Sequence, residues 1–79
     1  MKAFGYAASS KKGQQQALLS LSEVTLVASP GELNQIIRFL SHAAAKFAKP
    51  GKATDHCHIG EVVEWHPNWP DIIVKNPRT

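Results

Sequence analysis

The chain holds a single cysteine, Cys57, among 79 residues. One thiol excludes an internal disulfide framework, so nothing in the sequence calls for an oxidising compartment. Long apolar runs are also missing. No unbroken stretch exceeds three residues, where a membrane helix needs about 20. The opening Met1-Lys2-Ala3-Phe4-Gly5-Tyr6 has a charge but no apolar stretch behind it, and so does not read as a leader. A cytoplasmic protein is the expectation. Glycine is sparse and scattered, at Gly5, Gly13, Gly31, Gly51 and Gly60, so there is no glycine-rich phosphate loop. No serine elbow and no fixed pair of carboxylates is present either.

Apolar mass is limited as well. Hydrophobic residues are 43% of the chain, and ten of them are alanine, which leaves 24 with substantial side chains. A chain of 8.6 kDa buries only about 60% of the surface its unfolded form exposes. That mass suits one core between two layers and leaves little for a walled active-site cleft. A single small domain spanning 1–79, and not an enzyme, is the expectation. No cofactor and no resident metal is expected.

Charge is unevenly spread. Residues 1–52 hold seven Lys or Arg against Glu23 and Glu32, a balance of +5. Residues 53–79 hold Lys75 and Arg78 against Asp55, Glu61, Glu64 and Asp71, a balance of −2. Three of the four histidines fall in this acidic part. Such asymmetry can mark a polar binding surface; the plainer reading is a set of solvated lysines. A pI near 9.3 favours nucleic acid, but the lysines do not interleave with exposed aromatics and no recognised module is present. Nucleic acid is therefore an unfavoured partner.

The pattern predicts β-β-α-β-β, an α+β domain with one amphipathic helix on a mainly antiparallel sheet. Lys2 to Ala8 reads as a strand with Phe4 and Tyr6 on one face. Ser9 to Gln16 reads as a hairpin loop around Lys11-Lys12-Gly13. Ala17 to Ala28 reads as a long second strand, its apolar phase slipping near Ser22-Glu23 as a β-bulge would require. Ser29-Pro30-Gly31-Glu32 is a capping box with proline at the first helical position. Leu33, Ile36, Ile37, Leu40, Ala43, Ala44 and Phe47 then form the buried stripe, with Phe39 at its edge over the sheet margin. Pro50-Gly51 ends the helix. His56 to Ile59 reads as a third strand, which Val62-Val63 could extend. His66 to Pro70 is loop, and Asp71 to Asn76 is the last strand.

The chemistry-bearing residues lie after the helix. His56 and His58 share one side of a strand, within reach of one metal ion, with Asp55 adjacent and His66 in a loop. Only two ligands are fixed by that spacing, so the preferred reading is one histidine hydrogen-bonded to a neighbouring backbone group and one facing solvent. Cys57 points the other way and reads as a small buried hydrophobe. Trp65 and Trp69 flank two prolines; each ring either lids the core or anchors a partner.

Taken in order, several segments resemble the immunity protein 32 family, small bacterial proteins of polymorphic toxin systems. They are Leu21 to Pro30, Glu32-Leu33, Phe39-Leu40, Ala43-Ala44, His56-x-His58, Pro70 to Val74 and Asn76-Pro77. The resemblance spans Leu19 to Pro77. It implies an α+β fold and a protein that neutralises a cognate toxin by binding it. Inhibitors of nuclease toxins are usually acidic, whereas this chain is basic. Either the toxin is not a nuclease, or the acidic, histidine-rich C-terminal part makes the contact. His56, His58, Trp65, His66, Trp69 and Asp71 are the expected contact residues, combining polar heads with large rings. The alternative is a small metal- or nucleic-acid-binding regulatory domain.

Overall fold

The computed structural model describes residues 1–8 and 17–79. Its elements run β1 (Ala3–Gly5), β2 (Leu19–Leu21), α1 (Pro30–Ala48), β3 (His56–His58), a one-turn 3-10 helix (Ile59–Glu61) and β4 (Ile73–Lys75). This is an α+β chain with β-β-α-β-β order. The strands do not form one sheet. β1 pairs antiparallel with β2, and β3 pairs antiparallel with β4, as two separate ladders. The predicted hairpin loop at Ser9 to Gln16 lies outside the described residues.

The helix starts where local chemistry dictates. Glu32 N–H donates to Ser29 Oγ at 3.2 Å, and Ser29 N–H donates to Glu32 Oε1 at 2.7 Å. Both arms of the capping box are therefore made, and Pro30 occupies the first turn, where no amide is needed. At the other end Lys49 N–H donates to the Lys46 carbonyl at 3.3 Å. Gly51 then turns the chain at φ 93°, a left-handed conformation that glycine adopts without a side-chain clash.

The core lies between α1 and the C-terminal segment. Ile36, Phe39 and Ala43 of the helix meet Cys57, Ile59 and Val63, with Phe47, Val62, Trp65, Ile72 and Val74 around them. No residue of β1 or β2 belongs to this buried set. Phe39 is fully buried, at the core rather than at a sheet margin. Leu33, Ile37 and Leu40, expected on the buried face, are exposed. Both lines of residues have helical spacing; the C-terminal segment covers the one through Phe39 and Ala43.

The second strand is shorter than its sequence suggests. Pairing ends at Leu21, the chain bends at Ser22, and residues 23–28 carry no ladder. Among the described residues no backbone hydrogen bond reaches them. The apolar phase slip thus marks the end of the strand, not a bulge. Val24, Leu26 and Val27 are exposed, Val27 at 98%. β4 is likewise trimmed to three residues. Its ladder is prolonged at both ends by Ile59 N–H to the Ile72 carbonyl (2.9 Å) and Asn76 N–H to the Asp55 carbonyl (2.8 Å). Among the described residues no helix is long and apolar enough to cross a membrane.

Candidate functional site

Two clusters hold the six expected contact residues. The first is aromatic. Trp65 is half-buried against the core, and its indole N–H donates to the Pro70 carbonyl at 2.9 Å. Trp69 stands edge-on to Trp65, with ring centroids 4.7 Å apart and planes at 77°. This is the T-shaped contact that aromatic quadrupoles favour. His66 stacks at a tilt on the outer ring, its centroid 5.6 Å from that of Trp69. The loop is closed by Trp69 N–H to the His66 carbonyl and Asn68 N–H to His66 Nδ1, at 3.0 and 3.1 Å. The two tryptophans therefore differ in environment. Trp65 completes the core, and Trp69 stays exposed.

These rings form one wall of an open groove of about 390 Å³. Residues Thr25 to Ala28 form the other wall, with Glu32, Ile36, Pro70 and Ile72 completing the lining. Its surface is mainly apolar. The long-strand reading concealed this groove. Its signal in the sequence is a run of high strand propensity, Val24-Thr25-Leu26-Val27, too far along the chain for the short β1 to pair.

The second cluster lies on the outer face of the β3–β4 ladder. Strand alternation sends Cys57 and its partner Val74 inward, and Cys57 is buried as expected. His56 and His58 point outward, their ring centroids 5.1 Å apart. His56 Nδ1 meets Asp55 Oδ2 at 2.7 Å, and His58 Nδ1 meets Asp71 Oδ2 at 2.9 Å. Lys75, paired with His56 across the ladder, donates from Nζ to Asp55 Oδ1 at 2.9 Å. That ammonium, with help from Thr79 and His56, holds the Asp55 carboxyl well below the usual carboxylate range. Sequence spacing placed neither histidine on a carboxylate. Asp55 was visible as a neighbour, but the contact of His58 with Asp71 spans 13 residues and needed the ladder register.

The two clusters meet in sequence at Pro70-Asp71, where the groove wall passes into the strand. Among the described residues, the side-chain partners of His56 and His58 are the carboxylates of Asp55 and Asp71. The arrangement offers rings, an apolar trough and two oriented imidazoles, all open to a second molecule. No family model, no curated protein and no solved structure matches the chain significantly.

Proposed function

We propose that this chain is a non-enzymatic, immunity-like protein that neutralises a cognate bacterial toxin by binding and occluding it. The observation that carries the reading is the open groove between segment 25–28 and the Trp65–Trp69 loop. This segment, which joins no ladder among the described residues, offers backbone donors and acceptors to an incoming strand. The facing tryptophan supplies a large, rigid anchor, the residue type that dominates interface energetics. Val24, Leu26 and Val27 enlarge the apolar area that a partner would cover. The resemblance in motif order to immunity protein 32 directs the choice of partner toward a toxin.

Purified chain, immobilised, is offered the product of the adjacent gene. Saturable capture, weakened at least tenfold by Trp69→Ala, supports the proposal. Absence of capture, together with no protection of cells that co-express the two proteins, overturns it.

A further inference from the structure

The histidine pair on the outer face of β3 has an arrangement that partner binding does not require. Each ring is held at Nδ1 by its own carboxylate, Asp55 for His56 and Asp71 for His58. An ionised carboxylate can only accept, so Nδ1 carries the proton and a neutral ring keeps its free lone pair on Nε2. Carboxylates placed this way are the usual outer shell of histidine metal ligands, fixing tautomer and ring direction. Asp55 is itself fixed, because Lys75 holds its other oxygen.

The spacing of the rings fits one ion. Two imidazoles bound through Nε2 to a tetrahedral ion at about 2.1 Å place their ring centroids about 5 Å apart. His56 and His58 stand at 5.1 Å. Their side chains are 47% and 34% exposed, so an ion can reach them. The other candidates are less suited. Cys57 is buried on the opposite face. His66 already accepts from Asn68 N–H at Nδ1 and lies against Trp69.

We infer that His56 and His58 form a two-imidazole site for a divalent transition metal of the zinc, copper or nickel class, oriented by Asp71 and the Lys75-anchored Asp55. Imidazole is a good ligand for all three ions. Among the described residues no group of three or more His, Cys, Asp or Glu side chains surrounds one point. The remaining coordination positions therefore go to water. This inference is independent of the toxin reading.

The test is a Zn²⁺ titration of the untagged full chain, followed by the histidine ring proton signals in NMR. The expected result is that the His56 and His58 signals shift together and saturably, while those of His42 and His66 stay in place. His56→Ala and His58→Ala each weaken binding at least tenfold, and Asp71→Asn weakens it about 10- to 100-fold. Equal shifts at His42 or His66, no saturation, or unchanged affinity in either alanine variant would overturn the inference. The ring signals of the unaltered chain decide it even if a variant fails to fold.

Discussion

The side-chain amide of Asn76 donates from Nδ2 to the carbonyl of Thr54 at 3.0 Å, tying the end of the chain to the start of β3. Asn76 is the one buried polar residue among those described, at 1% exposure. Its Oδ1 accepts from Arg78 N–H at 3.0 Å, and its backbone N–H donates to the Asp55 carbonyl. Removing the amide leaves the part-buried Thr54 carbonyl and the Arg78 N–H without their partner, which costs about 1 kcal/mol. Asn76→Ala should lower the urea midpoint accordingly with an unchanged slope. A midpoint equal to wild type would show that the tie is dispensable.

The helix supplies a paired prediction. Phe39→Ala removes a fully buried ring and should cost about 3–5 kcal/mol. Ile37→Ser, on the exposed line, should stay within about 0.5 kcal/mol. The apolar stripe by itself ranks these two the other way. Thermal unfolding of the two variants distinguishes the rankings.

Acid should loosen the fold by a definable route. The carboxyls of Glu32 and Asp55 are both held below their ordinary values, Glu32 by the Ser29 amide and hydroxyl, Asp55 by Lys75. A lowered native value means the unfolded chain binds the proton first. The stabilisation is therefore complete above the ordinary carboxylate range and lost as pH falls below about 4. Urea midpoints measured from pH 7 to pH 2.5 should decline. The double variant Glu32→Gln, Asp55→Asn should decline less steeply; an equally steep decline would assign the acid sensitivity to other groups.

The tryptophans should be separable by quenching. With Trp65→Phe, the remaining emission comes from exposed Trp69 and should be readily quenched by iodide. With Trp69→Phe, the emission comes from half-buried Trp65 and should be bluer and better protected. Equal quenching would place both rings in the same environment.

What could be read from the sequence was local. The capping box, the helix length and the proline-glycine stop depend on neighbours within four residues, and all three appear as expected. The α+β class follows from the same elements. The burial of Phe39 was not legible, because Leu33-Ile37-Leu40 and Ile36-Phe39-Ala43 are both spaced as helical faces. Only the position of β3 and Val63 decides between them. The long second strand failed for a related reason. Val24 to Val27 has strand propensity, but a ladder needs a partner, and β1 begins at Ala3, opposite Leu21, so the antiparallel pairing stops there. The expected contact residues were identifiable as residue types. Their division into an aromatic cluster and a carboxylate-held histidine pair depends on register and on contacts 5 to 13 residues apart.

Co-expression with the product of the adjacent gene, read as protection of cells from that product, tests the central proposal most directly. Val27 is 98% exposed on the groove wall, so Val27→Asp should leave the fold intact while placing a charge on the proposed docking surface. The account predicts that the unaltered chain restores growth and that Val27→Asp, expressed at the same level and equally stable, does not. Full protection by Val27→Asp would contradict binding through the groove, and no protection by the unaltered chain would contradict the toxin-neutralising function itself.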